Sequence, residues 1–234
     1  MNSHIAIDTA TDLGTVAIGR AGEALHQVTI PTRSHAARTM PTIADLLWRS
    51  GLHWSDISGL VIADGPGSFT GLRIALATAK GIVAAHAHVQ LLTAPSLLGA
   101  AWAARPAPES TVAALYDALR GEVFVAVYRF AARRVEIVVE PHLARVERLG
   151  DLPVPDAVVG DGAAAYEEEV ARWAGAAAVR ASGGASAAAL LELLAVRGGP
   201  RPVEDVARFE PAYGRRAAAQ DRWEAAHGRR LPDS

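Results

Sequence analysis

An apolar strand that runs into an acidic turn, a glycine and a second strand occurs twice in this chain of 234 residues. Residues 5–9 form a short apolar run ending in Asp8-Thr9, Gly14 follows, and 15–19 alternate in polarity. Residues 111–116 form another apolar run that ends at Asp117, Gly121 follows, and 123–130 again read as a strand. Such self-similarity at a fixed place in two halves indicates a duplicated supersecondary unit.

The remaining elements fit that duplication. The first half reads as strands over 5–9, 15–19 and 23–30, a helix over 34–50, a strand over 57–63, a helix over 72–86, a strand over 90–93 and a helix over 96–104. Strand 57–63 is apolar throughout, as expected for a strand covered on both faces. Ser34 offers an N-cap, Gly51 stands at the C′ position, and Pro41 should kink the helix or displace its start. Arg105-Pro106-Ala107-Pro108 marks a boundary. The second half reads as strands over 111–116, 123–130, 135–140 and 157–160, a helix over 163–174, a short strand over 177–180 and a helix over 185–196. The expected domains are an N-terminal lobe over 1–104, a C-terminal lobe over 109–216 and a flexible tail over 217–234. Two βββαβα-type halves, the second reduced, are the plan of the α/β actin-like (ASKHA) fold, an analogy drawn from element order.

Composition removes several function classes. There is no cysteine, so disulfides and thiolate metal sites are excluded. The formal net charge is -2, whereas a protein gripping RNA by its backbone usually carries a basic excess. Arg215, Arg216, Arg222, Arg229 and Arg230 cluster near the end, and the expectation for them is a solvated tail rather than a contact to tRNA. The N-terminus lacks a leader-like apolar stretch, and no apolar run reaches the roughly 20 residues needed to span a bilayer. A cytoplasmic protein that does not contact membranes is expected.

The densest motif is Asp64-Gly65-Pro66-Gly67-Ser68-Phe69-Thr70-Gly71-Leu72-Arg73. Gly65, Pro66, Gly67, Ser68 and Gly71 make a tight strand-to-helix turn, with Ser68 or Thr70 available as a cap. It lacks the Gly-Lys-Ser/Thr ending of a phosphate-binding loop and does not match Gly-x-Gly-x-x-Gly, so a structural turn is favoured. The helix after it has few polar residues, and Gly71, Ala75 and Ala79 are spaced by four as a strip of small side chains. In helix 34–50, Met40, Ile43, Leu46, Leu47 and Trp48 wrap more than one side. An amphipathic surface helix shows one apolar face. The expectation is therefore a partner interface through Met40, Ile43, Leu47, Gly71, Leu72, Ala75 and Ala79.

These motifs also carry a resemblance. Residues 65–81, Gly-Pro-Gly-Ser-Phe-Thr-Gly-Leu-Arg-Ile-Ala-Leu-Ala-Thr-Ala-Lys-Gly, resemble the signature of the TsaB (YeaZ) family. Ile7-Asp8-Thr9-Ala10-Thr11, Ser34-His35, Asp117, Arg120-Gly121-Glu122-Val123, Val159-Gly160-Asp161-Gly162 and Glu210-Pro211-Ala212-Tyr213-Gly214-Arg215 are similar to family positions in the same order. Gly214 stands where the family usually has Leu, and Ala37-Arg38 where relatives often carry a Glu. The resemblance implies an actin-like fold and a non-catalytic subunit. Such a subunit pairs through its first-lobe helices with a catalytic TsaD-like relative, and a TsaE-like ATPase joins them. Together they transfer threonylcarbamoyl to N6 of an adenosine in tRNA. It also implies that the chain reaches tRNA only through that complex, pairs with itself when alone, and holds no cofactor, ATP or ADP belonging to the assembly.

The enzymatic alternative is an actin-like nucleotide hydrolase or peptidase active on its own. Its candidate nucleotide-binding residues are Asp8, Thr9, Thr11, Gly160, Asp161 and Gly162. A metal site is not expected, because His35 is followed four residues later by Thr39 rather than a second histidine. At the mirrored turns, capping is the expected role of Asp117, and that of Asp8 stays open between capping and phosphate binding.

Overall fold

A computed structural model of the chain describes residues 2–105, 107–178 and 184–215. Two mixed sheets form the frame. The first contains β1 (Ser3–Asp8), β2 (Leu13–Arg20), β3 (Glu23–Pro31), β4 (Ile57–Ala63), β5 (Gln90–Ala94) and a late two-residue strand, β10 (Arg201–Pro202). Their order is β10-β5-β4-β1-β2-β3. The second contains β6 (Ser110–Asp117), β7 (Glu122–Ala131), β8 (Arg134–Arg145) and β9 (Ala157–Val159), in the order β8-β7-β6-β9. In each sheet the first three strands form an antiparallel meander, and the fourth returns parallel to the first. Among the described residues the second sheet shows no counterpart of β5. This is the actin-like plan with a reduced second half.

Strand alternation decides how each sheet is covered. Ile5, Ile7, Val16, Ile18, Leu60 and Ile62 point to one face of the first sheet and pack under α1 (His35–Arg49) and α2 (Phe69–Ala85). Ala6, Ala17, Val61, Ala63 and Ala94 line the opposite face, where their small side chains admit α6 (Ala187–Leu193) through Ala187, Leu190 and Leu191. One face of the second sheet, which carries Tyr128 and Phe130 of β7, packs on α3 (Ser96–Ala104) and α6. Its other face packs on α5 (Glu167–Ala174) and on α4 (Asp161–Ala165) through Ala163.

Several expectations are corrected. Helix 163–174 is two helices, broken at Tyr166, whose hydroxyl turns to the β6–β7 loop. Residues Ala176–Ala178 form a 3₁₀ turn rather than the start of a strand, and the rest of that expected strand lies outside the described residues. Segment 184–215, assigned above to the second lobe, serves both: α6 packs on β1 to β4 as well as on the second sheet, Arg197 bridges to Arg134, and β10 extends the first sheet beside β5. The expected tail at 217–234 lies outside the described residues.

Candidate functional site

The β1–β2 turn and the start of α2 are packed almost without space. Ala10 O accepts the Ser68 amide at 2.7 Å, and the Thr9 hydroxyl donates to Gly71 O at 2.7 Å. A Cβ on Gly71 would overlap the carbonyl oxygen of Thr9, so only glycine lets the turn lie on this helix. Ser68 caps α2 by accepting the Gly71 amide at 3.3 Å. Ser96 fastens the turn from behind, exchanging hydrogen bonds with the Gly65 N–H and carbonyl at 3.0 and 2.8 Å. His35, fully buried, places Nε2 3.0 Å from both Gly14 N and Ile30 O and staples β2 to the end of β3.

Asp8 has a structural task that its sequence context left open. A helix start leaves four N–H groups without intrahelical partners. Around the start of α6, four successive amides find side chains of the first lobe. Ala185 donates to the Thr11 hydroxyl, Ser186 to Asp8 Oδ2, Ala187 to the Thr15 hydroxyl and Ala188 to Gln27 Oε1, at 3.4, 3.0, 2.8 and 2.7 Å. Asp8 Oδ1 also accepts the Ala10 amide at 3.1 Å. Burial pushes the Asp8 carboxyl up to about 6, and these two amides offset part of that rise.

A cleft of about 800 Å³ opens between the lobes. Ala10, Thr11 and Asp12 border it on one side, Gly67, Ser68, Phe69 and Arg73 on the next, and Asp117, Ala118 and Leu119 opposite. Asp161, Phe124, Tyr116, Tyr213 and Arg215 complete it. Asp117 Oδ1 accepts the Leu119 amide at 2.8 Å and the Tyr166 hydroxyl at 3.2 Å. Asp161 Oδ1 accepts the Asp117 amide at 3.0 Å. Burial raises the Asp161 pKa, and the charges of Asp117 and Asp12 add to that rise. Of the six candidate nucleotide-binding residues, only Thr11 and Asp161 border the cleft; Asp8, Thr9, Gly160 and Gly162 are held inside the fold. No cluster of three or more His, Asp or Glu side chains suited to a metal occurs among the described residues.

The C-terminal strap crosses this cleft, a feature that sequence patterns did not reveal. Val203 N–H donates to Leu91 O, Lys80 Nζ to Ala207 O and Ala212 N–H to Asp64 O, at 2.9, 2.9 and 2.7 Å. Tyr213 packs its ring on Phe69, centroids 4.6 Å apart. Gly214 has no room for a side chain, since a Cβ would stand 2.7 Å from Pro66 and 2.8 Å from Phe124. Arg215 then reaches the second lobe, donating to Ala118 O at 2.9 Å and Glu122 Oε2 at 2.6 Å. It is thus a lobe-bridging residue rather than the start of a solvated tail.

The expected interface is corrected residue by residue. Ile43, Leu47, Gly71, Leu72, Ala75 and Ala79 are buried in the chain's own fold, and only Met40 is exposed. The small side chains of Ala75 and Ala79 serve the core shared by α1, α2 and the sheet. Two residues on, about 200° around the helix at 3.6 residues per turn, the outward face begins. There Ala77, Gly81 and Ala84 are exposed and Ile74 is half covered. On α1, packed beside α2, Met40, Ala44 and Trp48 point outward, Trp48 with 80% of its surface open. A Cβ on Gly81 would meet nothing within 4 Å.

The family description "TsaD: tRNA N6-adenosine threonylcarbamoyltransferase" fits residues 27–214. The tRNA threonylcarbamoyladenosine biosynthesis protein TsaB of Escherichia coli (strain K12) is 33% identical over 171 residues, covering 70% of this chain and 73% of that protein. Among solved structures, an uncharacterized Pseudomonas aeruginosa protein with similarity to peptidase YEAZ superimposes with a TM-score of 0.77 at 29% identity, covering 92% of this chain and all of the other. YeaZ from Pseudomonas aeruginosa gives a TM-score of 0.71 at 30% identity over 83% of this chain and 91% of its own.

Proposed function

The chain belongs to the TsaB (YeaZ) family of tRNA threonylcarbamoyladenosine biosynthesis proteins, and we propose that it is the non-catalytic subunit that docks a TsaD-like transferase on the outward faces of α1 and α2. The exposed side of these helices carries the proposal. Trp48 and Met40 expose 80% and 44% of their surface beside a strip of Ala77, Gly81 and Ala84. Exposed apolar side chains on two neighbouring helices mark a partner site. Gly81 adds weight. A glycine in an exposed helix interior costs roughly 0.5–1 kcal/mol relative to alanine, and here no described residue needs its missing Cβ. Close approach of a second helix supplies the reason.

The cleft favours the same reading over a self-sufficient nucleotide hydrolase. Asp12, Asp117 and Asp161 border it against Arg73 and an Arg215 already paired with Glu122, and this excess of carboxylates disfavours a polyphosphate that brings no cation. Asp8, whose role the sequence left open between capping and phosphate binding, accepts two backbone amides. In this reading ATP or ADP is handled by the assembled complex, a TsaE-like ATPase joins the pair, and tRNA is modified on the catalytic partner.

The decisive experiment mixes the purified chain with a TsaD-like subunit and follows complex formation by sedimentation velocity. Threonylcarbamoyl transfer to tRNA is then assayed with and without the chain. Stoichiometric pairing, abolished in Trp48→Ala/Met40→Asp, together with transfer that depends on the chain, is expected. Native-affinity pairing by that variant would overturn the assignment of the face.

A further inference from the structure

The far end of the second lobe gathers four arginines around a single carboxylate, Glu136. After α6 the chain returns to the β7–β8 turn, and Arg197 forms a parallel bridge directly opposite Arg134. Val135 N–H donates to Arg197 O at 2.8 Å, and Arg197 N–H donates to Arg133 O at 3.0 Å. Two hydrogen bonds thus hold Arg133, Arg134 and Arg197 together, all three exposed. Arg129 lies on the same face as Arg134, two positions away on the paired strand, because Ala131 pairs with Arg134 and Arg129 with Glu136. Glu136 is shared, 3.1 Å from Arg134 and 3.9 Å from Arg129. Arg133 and Arg197 make no ion pair with any described residue.

Like charges directly opposite on paired strands destabilise a sheet. No core packing compensates, since the Arg129 and Arg134 side chains are 60% and 59% exposed. The chain as a whole is mildly acidic, so this cluster runs against its average. An arrangement that is unfavourable in isolation becomes favourable once an anion sits on it. Guanidinium groups suit phosphate oxygens in particular, with planar, bidentate geometry. β6 runs from Ser110, next to this turn, to Asp117 at the cleft, so patch and cleft lie at opposite ends of the second sheet, about 23 Å apart at ~3.3 Å per residue. α1 and α2 pack on the first sheet, which leaves the patch clear of a partner docked there.

We propose that Arg129, Arg133, Arg134 and Arg197 form a phosphate-contacting patch through which this chain grips the backbone of the tRNA presented to its catalytic partner. The proposal rests on the subunit reading above. Contacts of this kind position a nucleic acid without reading its sequence.

The test uses the complex of this chain with a TsaD-like subunit and total tRNA as the probe. Binding is followed by fluorescence anisotropy between 50 and 200 mM KCl. The triple variant Arg133→Gln/Arg134→Gln/Arg197→Gln should pair normally with the partner yet bind tRNA about ten-fold more weakly at the lowest salt. Its log–log salt slope should flatten by about one for each phosphate that is no longer neutralised. Arg148→Gln/Arg172→Gln, which neutralises two exposed arginines elsewhere on the same lobe, should change neither. Unaltered affinity and slope in the triple variant would refute the patch, as would weakened binding to heparin with unchanged binding to tRNA. Failure of the wild-type chain to pair at all would instead sink the subunit reading. The same titration on the isolated chain then decides the patch. Should the triple variant fold poorly by circular dichroism, Arg133→Gln alone carries the test, because its side chain makes no ion pair among the described residues.

Discussion

The Asp8 carboxylate accepts the amide hydrogen of Ser186, 178 residues further along the chain. One buried acid thus fixes the first turn of the first lobe to the beginning of α6. Its pKa is pushed up to about 6 from a usual 3.8, so the folded state holds the proton to higher pH than the unfolded chain does. The stability linked to that proton is fully present below pH ~4 and is lost as pH rises through ~6, in total about 3 kcal/mol. Asp8→Asn should remove that dependence. Urea denaturation at pH 4 and pH 7.5 should show the variant's stability, relative to wild type, improving with pH. A constant difference between the two proteins would mean that Asp8 is not the group that titrates.

A second tie closes the lobes from the other side of the cleft. Arg215 bonds Ala118 O and Glu122, with its side chain 40% exposed, so solvent screening limits the worth of the pair. A double-mutant cycle with Arg215→Ala and Glu122→Gln should give a coupling of about 0.5–1 kcal/mol, with Arg215→Lys retaining part of it. Additive single effects in thermal melts would show that the contact does not join the lobes energetically.

Gly65 is where the strap meets the glycine-rich turn. Its φ is +109°, and a Cβ would overlap the carbonyl oxygen of Ala212. Gly65→Ala should therefore cost about 2–4 kcal/mol, both from the backbone conformation and from displacing the strap. A melting temperature within a degree of wild type would contradict this packing.

Most of the frame was legible in the sequence because strands and helices leave different periods. Ile57–Ala63 and Ser96–Ala104 match their expected bounds, since a wholly apolar strand and a helix following Pro95 are both sharply punctuated. The duplicated turn around Asp8 and Asp117 was legible for the same reason. The break at Tyr166 was not, because residues 161–174 have helical composition throughout and the break depends on a hydroxyl reaching Asp117 and Gly121 from a distant strand pair. The strap was hidden too: β10 has two residues, one of them proline, and its anchoring bonds run through backbone groups that no side-chain pattern encodes. The role of Asp8 was undecidable, since its partner at Ser186 is set by the path of α6 rather than by neighbouring residues.

The facing of α2 shows most sharply what periodicity leaves open, and it supplies a direct test. A helix apolar on every side gives no phase, so the strip of Gly71, Ala75 and Ala79 was as good a candidate for the surface as Ala77 and Gly81. The fold chooses by fit: Ala75 and Ala79, both fully buried, bring α2 close to β4 and α1. Two arginine substitutions two positions apart should then behave oppositely. Ala75→Arg forces a long charged side chain into a packed core and should unfold the chain or cost more than about 4 kcal/mol. Ala77→Arg lies on the exposed side and should change stability by less than about 0.5 kcal/mol while abolishing pairing with the TsaD-like subunit. Gly81→Ala is the subtler variant. It should stabilise the isolated chain by roughly 0.5–1 kcal/mol and weaken pairing, because the added methyl stands where the partner helix must approach. Melting curves together with sedimentation of each variant separate these effects. Equal destabilisation by Ala75→Arg and Ala77→Arg would mean that α2 does not present the face assigned to it.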